Sequence, residues 1–332
     1  MNKKKILLSV PVIAVIGFFS GPKVDQSVTV KEIAVSENPE EFIQNRESAF
    51  KDIKPDSEKK IIWYDSSLKK KTEYSIVYIH GYSANRLEIS PVCDILAKNL
   101  KANLFYTRLS GHGREDMNAF ADATVNDWIN DAVEAVRVGE KLGEKVIIIG
   151  TSTGATLGTW IASEKEYRKN IAAFVFLSPN FHPHSRAIRI GLYPWGRQIA
   201  RLILGENREW KSDNEKVMKH WNTKYPSRAV VNLIGLVDYV SRKDVSVSEV
   251  PILVMYSPKD TVISTEEVQK RFQDFGGKHR QIVPFTDSQD VNQHVLAGDI
   301  ISPSTNGKAV EIIEKFFSDA GIVQPEPVLK KP

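Results

Sequence analysis

The feature that most constrains the fold of this chain is a series of short, continuous apolar runs rich in β-branched and aromatic residues. Runs without polar alternation are typical of strands covered on both faces, as in a parallel sheet. They occupy Tyr74–His80, Asn103–Leu109, Lys145–Ile149, Ala172–Leu177 and Ile252–Tyr256, and Gln281–Phe285 is a weaker candidate because it contains Pro284.

Helical patterns separate these runs. Thr124–Leu142 carries apolar residues at helical spacing, and Thr153–Ser163 is small and apolar. Thr265–Phe275 and Gly307–Phe317 are amphipathic. Alternating strands and helices predict an α/β fold with a doubly wound, mostly parallel sheet. Apolar residues make up 42% of the 332 residues, so the chain can bury the core that such a sheet requires.

Residues 180–248 interrupt the alternation. They hold no convincing strand, but they contain helical stretches such as Trp195–Leu204 and Val230–Val240. We interpret this insertion between two strands of the sheet as a helical cap. The main domain, cap included, is placed at residues 38–320, and residues 321–332 are predicted to form a C-terminal tail.

The N-terminus has the pattern of an export signal. Lys3–Lys5 precede the apolar stretch Ile6–Phe19, which has the length of a signal-peptide core and is short for a membrane-spanning helix. No small-residue cleavage site follows, so cleavage of residues 1–21 and their retention as a membrane anchor stay equally open. We expect the charges to stay cytoplasmic and the rest of the chain to be extracytoplasmic, with residues 22–37 as a tether. A cytosolic protein with an apolar N-terminus is the alternative.

Composition argues against several kinds of function. The formal net charge is +4, and Lys3–Lys5 supply three of those charges, so the clustered basic face of a nucleic-acid-binding protein is not indicated. Cys93 is the single cysteine, so no disulfide framework exists. His182 and His184 lack a third ligand at recognisable spacing, so no metal site is expected.

The strongest motif is the G-x-S-x-G sequence at Gly150–Gly154, with Ser152 at its centre. It directly follows a predicted strand and directly precedes a predicted helix of small residues, which is the setting that a nucleophile elbow requires. The N-terminus of that helix favours the negative charge that develops on a substrate oxygen. We therefore predict Ser152 as a catalytic nucleophile.

A serine nucleophile needs a general base, and the base needs an acid to orient it. With this kind of elbow the chain order is serine, acid, histidine. Asp260 follows the run Ile252–Tyr256, so it is expected at the carboxyl edge of the sheet together with the elbow. His294 follows the last predicted strand and is the expected base. The competing acids are Asp238 in the cap and Asp287 and Asp290 near the histidine.

Two backbone N–H groups are expected to form the oxyanion hole. One belongs to Thr153, the residue after the nucleophile. The other belongs to Tyr82, because Gly81 permits a tight turn after the first apolar run and would direct the next N–H at the oxyanion.

Five signatures in this chain together resemble one superfamily. They are His80-Gly81-Tyr82-Ser83, Leu109-Ser110-Gly111-His112-Gly113, Gly150-Thr151-Ser152-Thr153-Gly154, Lys259-Asp260-Thr261-Val262 and His294. The superfamily is that of the α/β-hydrolases, and within it the carboxylesterase, monoacylglycerol lipase and serine aminopeptidase-like group. The resemblance covers about residue 60 to 318 and implies a cofactor-free serine hydrolase with a helical cap. Ser257 stands where many relatives have glycine, and the cap matches no specific relative, so the substrate is not transferred.

The leading interpretation is hydrolysis of carboxylic esters, as in a carboxylesterase or a monoacylglycerol lipase, through an acyl-enzyme on Ser152. Trp195 and Leu202 of the cap are predicted to line an acyl pocket; the alternative is that they only pack the cap onto the core. The expected partner is a small ester or lipid-like molecule, with membrane association through the N-terminus and the basic cap. A serine peptidase or amidase, and an inactive exported binding module, remain alternatives.

Overall fold

The computed structural model describes residues 16–323, and all structural statements refer to them. The strands are β1 Lys60–Ile62, β2 Thr72–Ile79, β3 Asn103–Tyr106, β4 Gly143–Thr151, β5 Ile171–Leu177, β6 Asn207–Glu209, β7 Lys224–Pro226, β8 Ile252–Tyr256 and β9 Arg280–Pro284. The main sheet has the order β1-β3-β2-β4-β5-β8-β9. Strand β1 is antiparallel to β3, and the other neighbours are parallel. The predicted α/β fold with a doubly wound, mostly parallel sheet is confirmed.

Helices cover both faces of this sheet. They are α1 Pro39–Glu47, α2 Val92–Leu100, α3 Met117–Asp122, α4 Val125–Leu142, α5 Thr153–Ser163, α6 Lys165–Arg168, α7 Gly196–Leu204, α8 Glu215–His220, α9 Arg228–Ser241, α10 Thr265–Gln273 and α11 Asn306–Asp319. Helices α4, α5 and α10 contribute to the core on one face, and α2 and α11 contribute to the core on the other.

The central strands are buried on both faces. In β4, Ile148 packs in the same core as Trp128, whereas Ile147 and Ile149 pack in the core of the opposite face with Phe316. Because successive side chains of a strand point to opposite faces, a strand between two cores must be apolar at every position. This burial explains why the strands are visible in the sequence as continuous apolar runs.

The insertion between β5 and β8 is largely helical but not entirely so. It contains the 3₁₀ segment Arg186–Leu192 and the helices α7, α8 and α9. It also contains a small antiparallel pair formed by β6 and β7. The expectation that residues 180–248 hold no strand was therefore wrong. Each of these strands has three residues, too few to produce a periodic hydrophobic pattern.

The polar segment 22–37 lies along the surface of the domain. Gln26 Nε2 donates a hydrogen bond to the Gly235 carbonyl oxygen on α9, at 2.7 Å. Further along, the Lys31 N–H donates to Asn130 Oδ1 on α4, also at 2.7 Å. The segment thus connects the N-terminal end of the described chain to both the cap and the core.

Parts of two predicted segments lie outside the described residues. Of the predicted export segment 1–21, the structure describes residues 16–21, and of the predicted tail 321–332 it describes residues 321–323. In the portion that is described, no helix is both long enough and apolar enough to span a bilayer.

Candidate active site

Ser152 occupies a sharp turn between β4 and α5. Its φ of 51° and ψ of −110° are costly for a residue with a side chain. A Cβ at Gly154 would lie 1.9 Å from the Ile79 carbonyl oxygen, and one at Gly150 would lie 2.6 Å from the Gly154 carbonyl carbon. The two glycines therefore allow the strands and the helix to approach closely enough to hold this strained turn at the carboxyl edge of the sheet.

The side chains of Asp260 and His294 meet at the same edge. Asp260 Oδ2 lies 2.7 Å from His294 Nδ1. Asp260 Oδ1 accepts hydrogen bonds from the N–H groups of Val262 at 2.8 Å and Ile263 at 3.1 Å. Since the backbone fixes one carboxylate oxygen, the other oxygen holds the imidazole in one orientation and tautomer.

The competing acids have other contacts. Asp290 Oδ2 accepts hydrogen bonds from the backbone N–H groups of His294 at 3.0 Å and Val295 at 2.9 Å. It therefore shapes the loop 285–302 that carries His294, the histidine loop. Asp287 forms an exposed ion pair with a lysine of α11. Asp238 lies on α9 in the cap. Asp260 is thus the acid of the four that the structure places against the imidazole ring.

The elbow and the histidine loop both attach to the end of β5. The Ser152 N–H donates to the Leu177 carbonyl oxygen at 2.9 Å. The Ser178 hydroxyl donates to the His294 carbonyl oxygen at 2.6 Å. Adjacent residues of one strand end therefore bring Ser152 and His294, 142 positions apart in the sequence (294 minus 152), to the same part of the sheet edge.

The loop after β2 is held by a neutral histidine. His80 Nε2 accepts a hydrogen bond from the Leu109 N–H at 3.0 Å, so Nδ1 carries the proton that is donated to the Gly81 carbonyl oxygen at 2.9 Å. Burial lowers the pKa of His80 to about 4, which keeps the ring uncharged. Tyr82, the first predicted oxyanion donor, follows on this loop. Thr153, the second, opens α5, so its N–H has no acceptor one turn earlier in the helix.

The ring of Tyr82 connects this loop to the cap. Its centroid lies 4.8 Å from that of Phe120 and 5.8 Å from that of Tyr225, in a buried cluster with α9. Among the contacts that the structure describes, the buried Tyr82 hydroxyl has no hydrogen-bond partner. The aromatic ring therefore fixes the loop from the side of the cap.

A family model described as serine aminopeptidase, S33, matches residues 70–287, about two-thirds of the chain. The chain belongs to this family. It is therefore a serine hydrolase with the α/β-hydrolase fold, as the resemblance of the motifs implied. The match includes Ser152 and Asp260 and ends before His294. The choice of His294 as their partner therefore depends on its contact with Asp260 in the structure.

Solved structures with the same fold are named as lipolytic enzymes. A structure of the metagenome-derived lipolytic enzymes LipS and LipT has 17% identity and a TM-score of 0.61, covering 79% of this hydrolase and 99% of that chain. A soluble variant of monoglyceride lipase from Saccharomyces cerevisiae, solved with a substrate analogue, has 12% identity and a TM-score of 0.58, covering 78% and 91%. The monoacylglycerol lipase of Paleococcus ferrophilus has 13% identity and a TM-score of 0.56, covering 79% and 98%. No curated protein sequence matches this chain.

The electrostatics of this serine hydrolase favour a protonated imidazole. Burial opposes the charged form of His294, but the hydrogen bond and the charge of Asp260 outweigh it. The charges of Glu88 and Asp290 act in the same direction, so the pKa of His294 is raised. An imidazole with a raised pKa accepts a proton readily. Its neutral form, the one that can act as a base, is lost as the pH falls through that pKa.

Trp195 and Leu202, which were predicted to bind substrate, lie on the exposed side of the cap. Leu202 is 86% exposed on α7. The Trp195 indole N–H donates to the carbonyl oxygens of Gly17 at 3.2 Å and Phe18 at 3.0 Å. The role of these two side chains in binding an acyl chain stays a prediction. An amphipathic pattern shows which residues share a helix face, and it does not show what covers that face.

The histidines of the cap entry have backbone partners. His182 Nδ1 lies 2.6 Å from the Pro183 carbonyl oxygen, and the His184 N–H donates to the Val262 carbonyl oxygen at 2.9 Å. Within residues 16–323, no group of three or more His, Cys, Asp or Glu side chains is arranged to hold a metal ion.

Ser178 and Glu88 lie near the site and were not predicted from the sequence. Ser178 directly follows a predicted strand, so its position at the carboxyl edge was readable, although its bond to the histidine loop was not. Glu88 is 3% exposed, and its only signal in the sequence is an acid between the apolar residues Leu87 and Ile89. Its role depends on loops that meet only in the folded protein.

Proposed function

We propose that this hydrolase cleaves carboxylic esters through an acyl-enzyme on Ser152, with His294 as general base and Asp260 as its orienting acid. The observation that supports this most directly is the 2.7 Å contact between Asp260 and His294, on a loop tied to the same strand end as the serine elbow. Serine, histidine and carboxylate arranged in this way are the elements of nucleophilic acyl transfer.

In the proposed reaction, the Ser152 hydroxyl oxygen attacks the ester carbonyl carbon while His294 Nε2 takes the hydroxyl proton. The tetrahedral oxyanion binds to the N–H groups of Tyr82 and Thr153. When the carbon–oxygen bond breaks, the imidazolium returns its proton to the leaving alkoxide, which departs as an alcohol. Water then attacks the acyl-enzyme with His294 again as base, which releases the carboxylic acid and restores the serine.

The choice of esters over amides rests on the structural neighbours, which are named as lipases and lipolytic enzymes. A peptidase or amidase is the second candidate, because the matching family is described as serine aminopeptidase. Both reactions use the same three side chains, so substrates must separate them. Comparing turnover of a series of p-nitrophenyl esters with that of aminoacyl arylamides separates the two. If every arylamide were turned over faster than the esters, the proposed esterase activity would be wrong and an amidase activity would be favoured.

Labelling by a fluorophosphonate probe tests the nucleophile without knowledge of the substrate. We expect the unaltered protein to be labelled and Ser152→Ala to be unlabelled. Ser163→Ala is the matched control, since Ser163 ends the same helix and donates to the Trp160 carbonyl oxygen at 2.7 Å, away from the elbow. Equal labelling of Ser152→Ala and the unaltered protein would show that the nucleophile is another residue, and no labelling of the unaltered protein would favour the inactive binding module.

We further propose that the protein is exported and associates with membranes through its N-terminus. The support is the basic and apolar pattern of residues 1–21, together with the contact of Gly17 and Phe18 with Trp195 at the start of α7, a helix on which Leu202 and Ile203 are exposed. A membrane-impermeant reagent applied to intact cells should modify the full-length chain but not a chain lacking residues 1–21. Equal protection of both chains would place the protein in the cytosol.

A further inference from the structure

An acidic side chain that the proposed mechanism does not use lies against the loop 80–85 that carries Tyr82, the oxyanion loop. Glu88 ends the 3₁₀ turn Arg86–Glu88 and is buried. Its Oε2 accepts hydrogen bonds from the Gly81 N–H at 2.7 Å and from the Tyr78 hydroxyl at 2.8 Å. A Cβ at Gly81 would lie 2.8 Å from Oε1, so the absence of a side chain lets the loop backbone rest directly on the carboxylate.

The same carboxylate is connected to the serine elbow. The Tyr78 hydroxyl oxygen lies 3.0 Å from Thr151 Oγ1, and Thr151 directly precedes Ser152. A phenol has one proton, and since Tyr78 donates it to Glu88, the Thr151 hydroxyl donates to the phenol oxygen. A chain of hydrogen bonds therefore runs from the elbow through Tyr78 and Glu88 to the oxyanion loop.

The histidine loop also rests on Glu88. Gly298, four residues after His294, has a φ of +117°, and a Cβ there would lie 2.1 Å from the Glu88 carbonyl oxygen. The next N–H, that of Asp299, donates to the Ser90 carbonyl oxygen at 2.8 Å. Three loops that carry the proposed catalytic groups thus converge on one buried residue.

The surroundings of Glu88 differ from those of another buried acid. Glu134 forms ion pairs with Arg46 and Lys59. Within residues 16–323, no lysine or arginine forms an ion pair with Glu88. A buried carboxylate without a cation is costly, and two hydrogen-bond donors offset only part of that cost. Costly buried charges of this kind are concentrated at functional sites.

The charges around the imidazole give Glu88 a second effect. Burial raises the pKa of Glu88 above that of an ordinary glutamate, and the hydrogen bonds from Gly81 and Tyr78 offset only part of this increase. The groups whose charges act on His294 are Asp260, Glu88 and Asp290, and each of them raises the pKa of the imidazole. Glu88 therefore contributes to holding a proton on His294 although it does not touch the ring.

We propose that Glu88 is a positioning residue, which fixes the Gly81–Tyr82 backbone against the elbow so that the oxyanion donors are aligned. The proposal rests on the proposed function, because it assumes that Ser152, His294 and the oxyanion donors act together. Glu88 itself takes no proton from the substrate and forms no bond to it.

The test is Glu88→Gln, which keeps the size of the side chain and removes its charge. We expect kcat for p-nitrophenyl acetate to fall by about 10- to 100-fold, somewhat less than the loss of an oxyanion donor, with KM nearly unchanged. The acidic limb of the kcat/KM profile should move to lower pH, because His294 loses one of the charges that favour its protonated form. Unchanged kcat and an unmoved limb in a folded variant would overturn the proposal.

Two further variants separate positioning from charge. Tyr78→Phe keeps the carboxylate but breaks the link to Thr151, so kcat should fall while the acidic limb stays in place. Asp94→Asn is the matched control, because Asp94 is a nearby acid that accepts from the Tyr106 hydroxyl at 2.7 Å and from the Ser90 hydroxyl at 3.2 Å. Among the contacts of residues 16–323, it forms no direct hydrogen bond with any of the three loops. A limb that moves equally in Asp94→Asn and Glu88→Gln would refute the specific role. If Glu88→Gln does not fold, an unchanged kcat in Tyr78→Phe would itself refute the positioning role.

Failure of this proposal is distinguishable from failure of the proposed function. Fluorophosphonate labelling of the unaltered protein, lost in Ser152→Ala, tests the nucleophile first. If labelling depends on Ser152 and its rate is the same in Glu88→Gln at every pH, the role of Glu88 is refuted and the nucleophile stands. If the unaltered protein is not labelled at all, the proposed function fails, and this proposal fails with it.

Discussion

The carboxyl edge of the sheet and the cap are held in opposite ways. At the edge, both oxygens of Asp260 have fixed partners, and the residue is 4% exposed. In the cap, Leu202 is 86% exposed, and the start of α7 depends on Trp195, which binds the N-terminal segment rather than the core. The chemistry is thus built on a buried edge, whereas the outer helix α7 of the cap is largely exposed and contacts the N-terminal segment.

The difference follows from what each region must do. An acid, a base and a nucleophile lose effect when they are displaced by about 1 Å, so they are placed on strand ends whose backbone is buried on both faces. A region that admits varied substrates gains from being less stable than the core. Substitutions at the edge should therefore change catalysis with little effect on stability, and substitutions in the cap attachment should do the reverse.

The largest expected effect is that of Ser152→Ala. It should lower kcat for ester hydrolysis by on the order of 10⁶, as for a serine nucleophile that acts as a unit with its base. The fold should persist, because the serine hydroxyl supports no other element, and circular dichroism with thermal unfolding checks this. Residual turnover close to that of the unaltered protein would mean that the nucleophile lies elsewhere.

Asp260→Asn should have the next largest effect. An asparagine cannot hold the imidazole in the required tautomer, and the corresponding change in a serine protease lowers kcat by roughly 10⁴. Asp287→Asn is the control, since Asp287 lies at the surface in an ion pair with a lysine. Steady-state kinetics of both variants decide between the acids: a crippled Asp287→Asn beside a mild Asp260→Asn would show that the acid was chosen wrongly.

The raised pKa of His294 predicts the pH dependence of the unaltered enzyme. The imidazole must be neutral to act as base, so kcat/KM should fall as the pH decreases through this pKa. Because the charges of Asp260, Glu88 and Asp290 raise it, the acidic limb should lie at higher pH than for an ordinary histidine. Rates for p-nitrophenyl acetate across the acidic and neutral range measure the limb, and a limb below that of an ordinary histidine would contradict the electrostatic argument.

The site and the cap also differ in how well the sequence predicts them. Ser152 was predictable because its motif, strand and helix are contiguous, and Asp260 and His294 follow strand ends in a known order. Glu88 was not predictable, because its partners Tyr78, Gly81 and Thr151 converge only after folding. The two cap strands were not predicted, because three residues are too few to show a hydrophobic period. The contact of Trp195 with the N-terminal segment was not predicted either, because a helical pattern does not identify what packs on the helix.

The smallest expected effect concerns the contact between the N-terminal segment and Trp195 of the cap. In full-length protein, a Cβ at Gly21 would lie 2.1 Å from Trp195 Nε1, so Gly21→Ala should displace the indole from the carbonyl oxygens of Gly17 and Phe18. Losing such a hydrogen bond costs about 1 kcal/mol, or about 2–4 °C in Tm for a domain of this size.

Gly17→Ala is the matched control, because a Cβ at Gly17 has no atom within 4 Å. We expect Gly21→Ala, and not Gly17→Ala, to unfold at lower temperature and to expose the N-terminal segment to limited proteolysis, while kcat for an acetate ester stays the same in both. The rigid edge does not depend on this contact, so catalysis and cap attachment should separate. A kcat that falls together with Tm in Gly21→Ala would show that the cap positions the catalytic groups after all, and the contrast between the two regions would have to be abandoned.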